Sequence, residues 1–181
     1  MKKGLVIGVT LIMGLSLAAC DNSSSSSSSN EKATVKKTAT PKYYFKDNVV
    51  KIHDLKIKIT KTKIIQPGQP GNVDGDKAVF AVWYDTTNLT DKDLDPTSAW
   101  MAVFTAIQDN DKNSINELEV APLPDDQYLD SQTETIKKNG TVSNAVAYTL
   151  SDTTTPVQLK ASKGVDGKVL GTKTYKIVEN N

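Results

Sequence analysis

Few side chains in this sequence are of the types that do covalent or metal chemistry, and their spacing narrows the choice further. Cys20 is the single cysteine and His53 the single histidine. A Cys–His or Ser–His–Asp arrangement would have to use His53, which stands between Ile52 and Asp54 with no G-x-S-x-G elbow in the chain. A surface or turn histidine is the simpler reading. One Cys and one His cannot build a zinc site of the usual ligand set. Among oxygen ligands, Asp109-Asn110-Asp111-Lys112-Asn113 begins like a calcium loop, with ligands at positions 1, 3 and 5. Position 6 is Ser114 where glycine is required, and position 12 is Val120 where a bidentate Glu is required. Asp91, Asp93 and Asp95 alternate, but Pro96 stands where such a loop should turn on glycine. Calcium held between loops stays open, against the plainer role of Asp and Asn as turn formers. Paired carboxylates for glycoside cleavage need a set separation, and the many acids offer no way to choose two. Trp83, Trp100, Tyr128 and Tyr148 could stack on sugars, yet all but Tyr128 lie in apolar patterns that read as core. The expectation is a non-enzyme with no catalytic residue, no metal and no cofactor.

Cys20 is different, because its chemistry follows from what precedes it. Lys2 and Lys3 are followed by an apolar run from Gly4 to Ser16. That run is shorter than the roughly 20 apolar residues of a spanning helix and reads as a secretory signal. Leu17-Ala18-Ala19-Cys20 resembles the bacterial lipoprotein signal. The resemblance implies a thioether from the Cys20 thiol to a diacylglyceryl group, after cleavage between Ala19 and Cys20. Residues 1–19 are then a signal peptide, Cys20 is the lipid attachment site, and the mature protein is extracytoplasmic and lipid-anchored to the cell membrane. An ordinary signal, cleaved after Ala19 beside an incidental cysteine, is the alternative. Two acyl chains anchor stably where one binds only marginally, at about 0.8 kcal/mol per buried CH₂.

With its one thiol committed, the domain has no disulfide and must rely on its core. The chain holds 22 Lys and no Arg, the residue preferred for bidentate phosphate and guanine contacts. Without Lys2 and Lys3, 20 Lys face 21 acids, so the mature chain carries −1, which argues against nucleic acid as a partner. The charges are segregated: +7 over Glu31–Lys63, −11 over Asp74–Glu134, and +4 from Thr135 onward. Solvated faces explain most such blocks. Still, Lys32, Lys36, Lys37 and Lys42 lie beside the anchor, where anionic lipid or wall polymer would attract them. The acidic middle should then point outward.

The elements that must position these residues read as strands. Residues 20–41 form a linker, with serines from Ser23 to Ser29, whose composition has little to bury and predicts disorder. The domain spans 42–181. Tyr43–Phe45 and Val49–Ile52 flank Asp47-Asn48 as a hairpin. Leu55–Thr60 alternates strictly, with lysines suited to an edge, and the parity slips near Lys61–Lys63, which predicts a bulge. Gln66–Lys77, with two Pro-Gly pairs, is a long loop. Ala78–Thr86 is apolar on both parities, a central strand covered on both sides. Asn88–Thr97 is an acidic loop. A helical turn at Ser98-Ala99 leads into Trp100–Gln108, read as a strand, with a short buried helix as the competing reading. Ile115–Gln132, holding Pro122 and Pro124, is irregular. Thr133–Lys137 and Val142–Leu150 read as strands around a type I′ turn at Asn139-Gly140. Pro156–Ala161 and Val169–Val178 close the domain around the turn at Gly164–Gly167. Eight or so short strands predict an all-β antiparallel sandwich, without the Cys…Trp…Cys mark of antibody domains.

Val82-Trp83-Tyr84-Asp85-Thr86-Thr87-Asn88, Leu94-Asp95-Pro96 and Ser98-Ala99-Trp100 resemble a Gram-positive lipoprotein family built on domain of unknown function 5067. Tyr148–Asp152, Thr155-Pro156-Val157 and Lys173-Thr174-Tyr175 fit it too, so the likeness runs from Tyr43 to Val178. It implies an immunoglobulin-like β-sandwich and carries over no catalytic or binding residue. The expected function is a membrane-anchored, non-catalytic interaction module at the cell surface, with a protein or glycan partner. The alternative is a ligand-binding lipoprotein, for polysaccharide or a small molecule, using loops Gln66–Lys77 and Asn88–Thr97.

Overall fold

The computed structural model describes residues 41–177. The signal segment, Cys20, the linker lysines Lys32, Lys36 and Lys37, and Val178 lie outside the described residues. The described chain opens with the hairpin β1 (Tyr44–Lys46) and β2 (Val49–Lys51). Asp47 and Asn48 take φ of 50° and 64°, the two positive values that a tight I′ hairpin turn needs and that Asp and Asn tolerate. β3 (Leu55–Ile65) pairs with β2 and with β4 (Val79–Asn88). Its inward residues Leu55, Ile57 and Ile59 are buried.

The register of β3 on β4 shifts between Ile59 and Lys61, leaving Thr60 without a partner. This bulge falls where the alternation slips, and it reverses which side chains face out. Lys61 and Lys63 then stand opposite Trp83 and Ala81 on the outer face, while Ile64 stands opposite Phe80 and packs against the core. The edge role expected of the lysines in Leu55–Thr60 is corrected, because β2 pairs along Lys56 and Lys58 and covers that half of β3. Lys61 and Lys63, beyond that pairing, are the ones on the free half.

β4 is buried on both faces, because its two parities feed two clusters. Phe80, Val82 and Tyr84 enter the main core, and Val79 and Ala81 pack with Ile65 and Ala147 on the other side. β5 (Phe104–Gln108), β6 (Val120–Ala121), β7 (Thr141–Thr149), β8 (Val157–Ser162) and β9 (Val169–Tyr175) complete two antiparallel sheets. One runs β1-β2-β3-β4-β7-β6 and the other β5-β8-β9. Counting from β3, these are the ABED and CFG sheets of a constant-type immunoglobulin sandwich, with a hairpin added before strand A. That hairpin closes one open side: Phe45 meets Phe104 with ring centroids 5.4 Å apart, and the Lys173 ammonium on β9 reaches the Asn48 carboxamide.

Two further expectations are corrected. Trp100–Val103 is not strand but the end of helix α1 (Pro96–Val103). Asp95 caps it by accepting the Ser98 N–H at 2.8 Å, and Pro96 sits at its first turn, where proline costs no hydrogen bond. Those start signals outweigh the β-like composition until Phe104, where the chain turns extended. Thr133–Lys137 is likewise not a strand. A 3-10 turn covers Asp130–Thr133, and the Ile136 and Asn139 N–H groups donate to the carbonyls of Leu94 and Asn88 instead of forming a hairpin. At Asn139-Gly140 only Asn139 has positive φ (62°), so the turn there is not type I′.

Three buried amides hold the loops. The Asn72 carboxamide donates to the Ile65 and Lys77 carbonyls, and that of Asn88 to the Lys92 and Ile136 carbonyls. Gln108 donates to the Asp152 and Thr155 carbonyls and accepts from the Ser151 and Asp152 N–H groups. The loops thus gather at two ends. The entry end carries Tyr43, the His53-Asp54 turn, loop 89–95 and turn 163–168; the far end carries loop 66–77, turn 109–113 and loop 150–156.

Candidate functional site

The outer face of the six-stranded sheet is where the side chains converge. Across it, Lys61, Trp83 and Ala145 lie in one row, then Lys63, Ala81 and Ala147, then Ile65, Val79 and Thr149. The small residues at 81, 145 and 147 leave depth, and two loops close over it. Asn72 folds loop 66–77 back onto the sheet, so that Gly71 meets the Pro124 carbonyl. Between these loops and the sheet lie two adjoining clefts that share Gly71 and Asp126. One, of about 440 Å³, runs between Asn72–Lys77 and Ala121–Leu123. The other, of about 430 Å³, has Trp83 and Ile65 as its floor, with Lys61, Lys63, Pro70, Pro124 and Gln127 around it.

Trp83 is half-buried and fixed by its edge and one face. Its indole N–H donates to the Asp125 carboxylate at 2.9 Å, and the Lys61 ammonium stands 4.5 Å from its ring centroid. Gln127 also donates to Asp125, at 2.6 Å. Burial pushes the Asp125 carboxyl upward, but the Trp83 and Gln127 donors and the Lys61 charge outweigh it and hold the group below the ordinary carboxylate value. The arrangement offers an aromatic ring, an amide, two ammonium groups and carboxylates in one groove. That set suits a polar ligand or peptide with an apolar side.

Trp83, which the apolar pattern assigned to the core, stands half-buried on the outer face and in the groove, and loop Gln66–Lys77 borders it, whereas the other residues singled out in the sequence lie elsewhere. His53 is exposed at the entry end, its Nδ1 2.6 Å from Asp54 Oδ1. That contact, then Lys92, lowers the Asp54 carboxyl. Asp111 folds its own turn, accepting the Asn113 and Ser114 N–H groups. Asp91 pairs with Lys138 at 2.7 Å, and Asp95 caps α1. Among the described residues no three acids, histidines or cysteines come together as a metal site. Trp100 and Tyr148 are core, joined by a hydrogen bond of 2.6 Å, and Tyr128 is half-buried in a 3-10 turn. Lys42 stands 5.3 Å from the Tyr43 ring. Loops Gln66–Lys77 and Asn88–Thr97 leave opposite ends of β4, so the two cannot build one site. The Trp83 groove was missed in the sequence, although one signal pointed to it: an apolar residue on the outward parity of β4 requires a cover.

Gly71 is the hinge of that cover. It has φ of 90°, and a Cβ there would lie 2.3 Å from the Pro124 carbonyl oxygen. Gly71→Ala should therefore destabilise the domain by about 2 kcal/mol, combining left-handed strain with the clash. It should also part loop 66–77 from Pro124. A denaturant titration checks the first effect, and the Trp83 emission spectrum the second. Unchanged values for both would mean that these loops do not touch in solution.

Two solved structures share the fold. A candidate lipoprotein from Staphylococcus aureus superposes with a TM-score of 0.63 at 22% identity, covering 76% of this chain and 93% of that one. A protein from Enterococcus faecalis, solved by NMR, gives 0.58 at 17% identity, covering 75% and 94%. No curated protein matches the chain. Residues 30–163 match the family model DUF5067, a domain of unknown function, and reach from the linker through the groove to β8. The chain belongs to the DUF5067 family.

Proposed function

We propose that this protein is a lipid-anchored extracytoplasmic lipoprotein whose sandwich is a non-catalytic interaction module, binding through the groove at Trp83. The groove carries the reading. An outer sheet face that an isolated sandwich would leave polar is apolar here, roofed by two loops, and still open around an aromatic ring with two lysines. The signal-like segment ending in Cys20, and the S. aureus relative described as a candidate lipoprotein, support the anchor. His53 stands at the opposite end of β3 from Lys63, which supports a binding role over a catalytic one. A polysaccharide or small-molecule ligand is the second reading, favoured by the half-buried indole of Trp83. Of the two loops expected to form that ligand site, Gln66–Lys77 alone borders the groove.

The test has two arms on whole cells. Labelled palmitate should enter the native protein and not Cys20→Ala. A photo-cross-linking residue in place of Lys63 should give a discrete adduct, and the same residue in place of Thr174, exposed on β9, should not. Equal adducts from both positions, or none from either, would remove the groove as the binding face. Label on Cys20→Ala would remove the anchor.

A further inference from the structure

The entry end carries a surface that the groove does not explain. The turn between β8 and β9, Lys163-Gly164-Val165-Asp166-Gly167-Lys168, is closed by a hydrogen bond of 3.0 Å from the Lys163 N–H to the Lys168 carbonyl. Positive φ at Gly164 (83°) and Asp166 (53°) shapes its tip. Val165 is 77% exposed there, and Val169, just beyond, is 49% exposed. Neither packs on the core, and nothing in the turn geometry requires a β-branched side chain. Lysines stand at the same end. The Lys163 and Lys42 ammonium groups stand 4.4 Å and 5.3 Å from the centroid of the same Tyr43 ring, and Lys168 closes the turn. Exposed apolar tips framed by lysines and a tyrosine are the composition of a membrane-interface contact.

Of the other exposed aliphatics, Val120 lies on β6 and Leu129 between the two 3-10 turns, with no lysine turn around them, while Val73 and Ile115 stand at the far end. The latter two lie among Asp74, Asp76, Asp109 and Asp111, which an anionic surface repels. The acidic loop with Asp91, Asp93 and Asp95 shares the entry end but follows β4, in the sheet opposite turn 163–168. A bilayer touching the lysine-framed tip therefore tilts the sandwich so that this loop lifts away. The occupant follows from where the chain enters. Pro41 begins the described residues beside Tyr43, and Cys20 lies only the linker away, at most about 75 Å even when fully drawn out.

We propose that turn 163–168, with Val165 at its tip, Val169 at the start of β9 and the lysines Lys42, Lys163 and Lys168 at the same end, docks on the anionic leaflet that holds the anchor. This rests on the anchored reading of Cys20, which sets the tip at an effective concentration on the order of millimolar from the lipid, so weak affinity suffices. Docked this way, the far-end clefts face away from the membrane, open to a partner.

The experiment uses the unlipidated mature chain from Asp21, which contains no cysteine, so that a single introduced thiol takes a polarity-sensitive fluorophore. At Val165→Cys, emission should shift to the blue on phosphatidylcholine vesicles containing phosphatidylglycerol. It should shift little on phosphatidylcholine alone, and the shift should fade with salt, since exposed charges are screened over about 8 Å at physiological ionic strength. Adding Lys163→Gln and Lys168→Gln should weaken binding several-fold. A probe at Ile115→Cys, on the far end, should not shift. No shift at 165, equal shifts at both sites, or a shift indifferent to the two lysines would overturn the proposal, as would equal response to lipid-free phosphate polymer. Because no acyl chain is present, this outcome is independent of the palmitate arm: a failed anchor with a positive tip, or the reverse, can be told apart.

Discussion

Trp100→Ala should lower the melting temperature by more than 10 °C and leave a domain close to unfolding at 37 °C. Trp100 is fully buried on α1, with its ring centroid 4.4 Å from both Tyr84 and Phe104. It bridges the helix to one strand of each sheet, and no disulfide shares the task. Truncating a buried Trp costs roughly 3–5 kcal/mol through lost burial and the cavity left behind. A domain of this size has on the order of 5–15 kcal/mol in all. With roughly 3 °C lost per kcal/mol, the drop is well outside error. Trp100→Phe separates the two parts of the effect. It keeps most of the ring but removes the N–H that donates to the Tyr148 hydroxyl at 2.6 Å, for about 1–2 kcal/mol. That hydroxyl is itself buried, and its pKa is pushed up to about 12 by burial, with the Trp100 bond pulling the other way. A melting temperature within a few degrees of native for Trp100→Ala would contradict the packing described here.

Gln108→Leu should cost about 2–4 kcal/mol with little change in side-chain volume. The carboxamide makes four bonds to the backbone of loop 150–156, with distances from 2.7 to 3.3 Å, and none of its own polar atoms faces water. Leucine leaves two carbonyls and two N–H groups without it, at about 1–3 kcal/mol for each that stays dry. Water reaches part of this loop, so the sum falls short of four full penalties. Hydrogen exchange should quicken first at the Ser151 and Asp152 amides. Asn110→Ala is the control: its bond to the Asp152 carboxylate, 2.7 Å long, is exposed, and its loss should cost under about 1 kcal/mol. Asp152 keeps its carboxyl well below the usual range through the Thr155 N–H first, then Asn110 and the Thr154 N–H, so the loop retains some order in both variants. Equal costs for the two substitutions would show that Gln108 does no more than fill space.

Local pattern was enough wherever the deciding forces act between near neighbours. The Asp47-Asn48 turn, the alternation of Leu55, Ile57 and Ile59, the bulge before Lys61 and the two-sided burial of β4 were all legible, because turn dihedrals and strand parity are set within a few residues. The alternation also pointed to an antiparallel sandwich, and the resemblance of the Val82–Trp100 block named the family. What the pattern could not decide depended on who the distant partner is. Trp100–Val103 has a composition that suits either state, and the cap from Asp95, with burial against Tyr84 and Phe104, selects helix. Ile136 and Asn139 carry hairpin signals, yet their N–H groups found the carbonyls of Leu94 and Asn88, far back along the chain. The groove lies furthest from local reading. Lys61, Trp83 and Asp125 sit on three separate segments, and none has an unusual neighbour in sequence. They meet because a one-residue bulge turns Lys61 outward, small alanines on β4 and β7 leave depth beside Trp83, and a glycine lets loop 66–77 close on Pro124. Each of those conditions is tertiary: it exists only once the sheet has formed and its outer face needs a cover.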